Sequence, residues 1–223
     1  MKTSLYFLAA LLFASVSIQA QTLTKAQMTG WKAEGLQGKV KSVTYSTKKQ
    51  IFFNTLGNPS KVISNGYTST FSYTTQKLTK NSNKFRIVYG KNTRTMQDYY
   101  ASINDAGYEE AYTFDKFGRV IRLSIVEGYA PTEYIYEYKS DTDKFPSKIS
   151  WSGGEGGSVW EGSRTFEYLS FDKQGNWTKR NVKFVDVSKE SIGYDEEKQE
   201  ETFGNVQTDT KNYVETATYV YYP

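Results

Sequence analysis

The chain has 223 residues, a formal net charge of +4, 16% aromatic residues, and neither cysteine nor histidine. That length suits one domain with a sizeable core. Without cysteine there is no disulfide framework, thiol nucleophile or thiolate metal site. Without histidine, Ser-His-Asp, Cys-His and HExxH chemistry are excluded, leaving carboxylates, lysine, tyrosine and hydroxyls.

Met1-Lys2 followed by the apolar run Leu5 to Ile18 and small residues up to Ala20 predicts a secretory signal peptide over residues 1–20, with Gln21 as the new N-terminus. The run is shorter than the roughly 20 apolar residues a membrane helix needs. No cysteine follows it, so lipid anchoring at that point is excluded. The expectation is an exported chain, periplasmic or extracellular, not a lipoprotein and without a membrane span. Residues 21–38 read as a lead-in in which only 22–30 suggests a short helix, capped by Thr22 or Thr24. Residues 39–223 read as one domain.

Beyond residue 20 there are seven Ala and six Leu against eighteen Tyr, a composition that favours pleated strands over helix. Alternation marks strands at Val40–Ser46, Tyr67–Tyr73, Tyr134–Tyr138 and Val214–Tyr222, among about a dozen such runs. Between them a turn recurs: an apolar residue, Asn or Asp, two variable positions, then Gly. It appears at Asn54–Gly57, Asp105–Gly107 (preceded by Asn104), Asp115–Gly118 and Asp172–Gly175, with a degenerate copy at 138–144. Asn or Asp can bond backbone amides within such a turn, and Gly takes the positive φ that a Cβ resists. The expected fold is all-β, an antiparallel meander of hairpins forming an extended, curled sheet for which barrel-like closure is an option.

Phe114-Asp115-Lys116-Phe117-Gly118-Arg119-Val120 and Phe171-Asp172-Lys173-Gln174-Gly175-Asn176-Trp177 resemble YD (RHS-like) repeats. Gly35 to Val43 resembles the opening of small secreted bacterial proteins that carry them. The resemblance implies hairpins wrapping into a sheet or shell used for encapsulation, surface display or carbohydrate contact, and it implies no catalytic site. Asn176-Trp177-Thr178 also matches a glycosylation sequon, but its place in the turn gives it a structural reason.

The segment Trp151 to Gly162 holds five glycines and two tryptophans, four of the glycines lying between Trp151 and Trp160. It reads as a long exposed hairpin loop, in which Trp151 and Trp160 would present flat faces to sugar rings while Glu155 and Glu161 accept hydroxyl hydrogen bonds. The alternative is that both Trp cover the edge of the core. Tyr99-Tyr100, Tyr112, Tyr134, Tyr136, Tyr138 and Tyr221-Tyr222 read as aromatic ladders, either packed or exposed for recognition. Such alternation also marks outer-membrane barrels, but Lys and Glu interrupt most candidate rows.

Lys49, Lys61, Lys84, Lys116, Lys148 and Lys179 are scattered along the chain, which is not the footprint of a nucleic-acid binder. The acidic stretch Asp195 to Glu201 lacks calcium-loop spacing and reads as a solvated face. No metal and no cofactor is expected. No motif orders two of Glu109, Glu110, Glu127, Glu133, Glu137, Glu155 and Glu161 against each other. The functional expectation is therefore a non-catalytic binding or interaction module whose partner is a glycan or an envelope or surface protein. The alternatives are a structural module without a small ligand and a carboxylate-dependent glycoside hydrolase using Glu155 or Glu161.

Overall fold

A computed structural model describes residues 23, 25, 28–73, 77–81, 83–98, 107–128, 130–195 and 200–223. A single helical turn, α1 (Gly30–Ala33), precedes β1 (Val40–Tyr45), β2 (Gln50–Phe53), β3 (Pro59–Ser64), β4 (Tyr67–Tyr73), β5 (Lys77–Lys80), β6 (Asn83–Gly90) and β7 (Thr93–Asp98). The second half contributes β8 (Tyr108–Phe114), β9 (Val120–Glu127), β10 (Ala130–Glu137), β11 (Lys148–Glu155), β12 (Ser158–Phe171), β13 (Trp177–Asp195) and β14 (Glu200–Tyr221). Each strand pairs antiparallel with its sequence neighbour, and β1 pairs with β14, closing the meander into a 14-strand barrel. The all-β meander expected from composition is thus what forms, and the barrel closes. The described helical turn begins at Gly30, the last residue of the expected 22–30, and the proposed caps Thr22 and Thr24 fall outside the described residues.

Alternation sorts side chains cleanly between inside and outside. On β14, Tyr213, Glu215, Ala217, Tyr219 and Tyr221 point inward, while Val214, Thr216, Thr218 and Val220 point out. Inward rows elsewhere supply the core, including Val43, Ile51, Phe53, Phe85, Met96, Phe114, Phe166 and Val182. Outward rows carry charged and hydroxyl groups such as Lys61, Thr70, Lys84, Glu109, Arg122, Glu133, Glu167 and Lys183. The outer rows mix these polar groups with exposed apolar side chains such as Val88, Ile121, Ile135, Val214 and Val220. No helix among the described residues is long and apolar enough to cross a membrane.

Three of the recurring turns share one geometry and one end of the barrel, where β2, β8 and β12 hand over to β3, β9 and β13. In each, the Asn or Asp carboxyl or amide oxygen accepts two backbone N–H groups: Asn54 from Leu56 and Asn58, Asp115 from Phe117 and Arg119, Asp172 from Gln174 and Asn176. The N–H of Gly57, Gly118 or Gly175 donates at 3.0 Å to the carbonyl of that same residue. Each glycine has φ near +80° (+80°, +78° and +86°). The fourth turn joins β7 to β8 at the opposite end. Its Gly107 lies just before β8, and Asp105, like Tyr99 and Tyr100, falls outside the described residues.

The segment 28–38 plugs the end formed by the three turns. Trp31 N–H donates to the Gly57 carbonyl at 2.8 Å and its indole N–H to the Val40 carbonyl at 2.7 Å. A Cβ on Gly57 would sit 2.4 Å from the Trp31 ring, so this glycine answers both to φ and to the plug. Asn176, with 0% exposure, accepts the Gln37 N–H at 2.7 Å and donates to the Gln37 carbonyl at 2.8 Å and the Tyr221 hydroxyl at 2.7 Å. Leu36 joins Val40, Val43, Phe53, Phe145 and Trp177 in one core cluster, and Met28 joins Phe114 and Val120 in another. The sequon asparagine is therefore an internal latch, with its amide nitrogen fully engaged.

The other end is uneven. β12, β13 and β14 are 14, 19 and 22 residues long, against 4–8 for the strands before them. β14 meets β1 only up to Thr216, whose carbonyl accepts the Ser46 N–H. Above that point β11 to β14 rise as a ribbon over one side of the mouth.

Candidate functional site

The Trp151–Gly162 segment is not a long loop. Trp151–Glu155 is strand, Ser158–Gly162 is strand, and only Gly156-Gly157 turn, with φ of +55° and +85° as in a type I′ hairpin. Trp151 lies directly across from Gly162, and Trp160 across from Gly153. A Cβ on Gly162 would come within 2.3 Å of the Trp151 ring, and one on Gly153 within 2.5 Å of the Trp160 indole nitrogen. These glycines exist so that each indole can lie flat over the facing strand. Trp151 donates to Asp186 Oδ1 at 3.1 Å and Trp160 to Thr132 Oγ1 at 3.3 Å.

Both indoles belong to the inner face of the barrel wall. Glu161 belongs to the outer face, ion-paired with Lys189 at 2.8 Å, and Glu155 is exposed beside the turn. The four residues picked from the sequence are therefore split: the two Trp share a face, Glu161 is on the opposite one, and Glu155 and Glu161 do not converge on one bond.

What the fold builds instead is a lumen of about 500 Å³, running from Lys32 to Gly35 on the plug to Thr47, Lys49, Ser64 and Asn65 on the rim. Its wall is aromatic: Tyr45, Tyr112, Tyr136, Tyr138, Tyr168 and Tyr213, with Phe145, Phe166 and Trp177. Of these, Tyr112, Tyr136 and Tyr138 were legible as ladder residues. Tyr45 stacks on Trp177 with centroids 5.8 Å apart, and Tyr168 donates to the Pro146 carbonyl at 2.8 Å.

Two arginines enter this wall. Arg180 is held between Trp177 and Phe166, its guanidinium 3.9 and 4.1 Å from the ring centroids, and it forks onto Glu215 Oε2 at 2.6 and 2.8 Å. The two are direct cross-strand partners, with side chains 16% and 10% exposed. Arg164 instead lies open, 5.7 Å over Trp151 and 5.5 Å over Phe184, with no carboxylate at ion-pair distance among the described residues. The cavity's two lining carboxylates are each matched to a cation, Glu215 to Arg180 and Glu34 to Lys49 at 3.9 Å. Among the described residues no three carboxylates cluster to hold a metal.

Burial pushes Tyr45, Tyr112, Tyr136, Tyr138 and Tyr168 up. Tyr45 and Tyr112 lie well above the ordinary phenol range, first through desolvation and then through Glu34 and Glu110 respectively. Tyr168 rises to about 12 by desolvation, with Arg180 pulling the other way. All are neutral hydroxyls at physiological pH, suited to hydrogen bonding rather than proton abstraction. Each native phenol holds its proton above the unfolded pKa of about 10, so its stabilising contribution is complete below that pH and is lost as pH rises through the folded value. Urea midpoints are expected to stay level through neutral pH and fall steeply above about pH 10. Near-ultraviolet tyrosinate absorbance should then show a late phase coincident with loss of circular dichroism; titration of all tyrosines in one early phase, with the fold intact, contradicts the buried placement.

The fold and lumen define a closed antiparallel barrel with an aromatic interior and a plugged end. No protein-family model matches the chain, and no curated protein is significantly similar to it.

Proposed function

We propose that this chain is an exported, non-catalytic binding module that takes a carbohydrate into the lumen of its barrel. The observation that carries the reading is the lumen itself: about 500 Å³, open at one end, walled by tyrosine, phenylalanine and tryptophan rings, with Arg164, which has no carboxylate partner among the described residues, at its upper wall. Small-ligand sites are of this size and combine apolar walls with a few fixed polar groups. Sugar rings place C–H faces on aromatic rings and their hydroxyls on phenols and guanidinium groups. Trp151 contributes by holding Arg164, which replaces the exposed-loop role first read for it. Export rests on the leader at 1–20, and the resemblance to YD repeats fits a carbohydrate-contact role. The scattered lysines do not support nucleic acid as partner, and the charged groups that interrupt the outer rows do not favour lipid.

The test is a glycan and polysaccharide screen read by tryptophan fluorescence, followed by Tyr136→Ala and Arg164→Ala. Each substitution is expected to weaken a hit about tenfold while leaving the far-ultraviolet dichroism unchanged. No response to any neutral or acidic glycan, or a hit that both substitutions leave intact, overturns the reading.

A further inference from the structure

The ribbon above the barrel mouth leaves one strand edge uncovered. From Thr216 to Val206, β14 keeps an unbroken register with β13 on one side and, among the described residues, has no strand on the other. Because Thr216 turns its carbonyl and N–H toward Ser46 on the β1 side, alternation directs the backbone groups of Val214, Asn212, Thr210, Thr208 and Val206 to that same open edge. An exposed edge of this length is a template for another strand.

The edge is self-complementary. It is bounded below by Ser46, which occupies the edge at Thr216, and above by an irregularity in the β13–β14 register between Val206 and Phe203. Such bulges bend and twist a strand. The regular stretch Val206–Val214 is thus symmetric about Thr210. Antiparallel pairing with a second copy about Thr210 puts Asp209 opposite the other copy's Lys211, and Lys211 opposite its Asp209. It also puts Val206 opposite Val214 of the other copy; these are exposed by 57% and 51% in the single chain. All the residues with free backbone groups then fall opposite one another, so hydrogen bonding and side-chain matching demand the same register. The bulge carries the ribbon tip away where the neighbour's β1 begins.

We infer that this chain forms a twofold homodimer by β14-to-β14 edge pairing centred on Thr210, stitched by Asp209 and Lys211 across the axis. A twofold edge contact is isologous and closes, so it ends at two copies. Asp209 and Lys211 already pair within one chain, and dimerisation turns that pair into a four-charge cluster.

Sedimentation velocity on the purified protein, across a micromolar concentration series, is expected to show a reversible dimer. Asp209→Lys sets lysine against lysine across the axis, and Lys211→Asp sets aspartate against aspartate. Each variant alone is expected to raise the dimer dissociation constant about tenfold or more. Mixed, the two variants restore both opposite-charge contacts and are expected to form a heterodimer. Both positions are on the exposed ribbon, and dichroism verifies the fold. A monomer at all concentrations, a dimer indifferent to either charge reversal, or variants that fail to recombine overturns the inference.

Discussion

Glu215→Ala is expected to lower the unfolding free energy by about 3–5 kcal/mol, the cost of leaving a buried charge without its partner. Arg180 is held between two rings on the lumen wall and is only 16% exposed, so its guanidinium stays largely desolvated when the carboxylate is removed. Urea denaturation with an unchanged slope measures the loss. The companion variant Arg180→Met with Glu215→Leu removes both charges and is expected to recover most of it, since two apolar groups of similar volume fill the same space without a desolvation cost. A single Glu215→Ala that costs less than about 1 kcal/mol, within the ordinary range for exposed pairs, would place the pair at the surface.

Asn176→Ala is the second large effect. It strips three hydrogen bonds from a side chain with no solvent access and leaves the Gln37 N–H and carbonyl without partners. At about 1–3 kcal/mol per orphaned buried group, a loss of about 2–4 kcal/mol is expected. The readout that separates a latch from a general core defect is hydrogen exchange. Protection should fall first in residues 28–38 and along the Asp172 turn, while the β6–β9 wall keeps its protection until global unfolding. Uniform loss across the barrel would mean that Asn176 supports the fold as a whole and not the plug in particular.

Much of the architecture was readable because alternation and turn chemistry are local. Tyr67–Tyr73 coincides with β4, and the Asn/Asp-to-Gly spacing located three turns whose hydrogen bonds repeat atom for atom. The Gly-rich segment was misread for a reason of register. Five glycines suggest a loop until the pairing shows that Gly153 and Gly162 each face an indole. The lumen was harder still, because its wall is assembled from strands far apart in sequence. One signal was present in the C-terminal strand, where Glu215 interrupts the same-face row Tyr213, Ala217, Tyr219 and Tyr221. A carboxylate in an aromatic row needs a cation, and Arg180, on the face shared by Val182 and Phe184, is the residue that supplies it.

Closure of the barrel by its first and last strands also sets the order in which the chain can mature. Ser46 meets Thr216 across 170 residues, and Tyr222 bonds the Phe53 carbonyl across 169. Every other strand pair is a local hairpin with a small loop-closure entropy, whereas this seam carries the largest one in the molecule. The Gln37–Asn176 latch is itself 139 residues long. Until the C-terminal strand has emerged, β1 has a partner on one side only, and the plug holds Gly57, Val40, Phe114 and Val120 but lacks the Tyr221 end of its latch. The growing chain is therefore an open ribbon, and the cup is sealed only when its last strand has paired with its first.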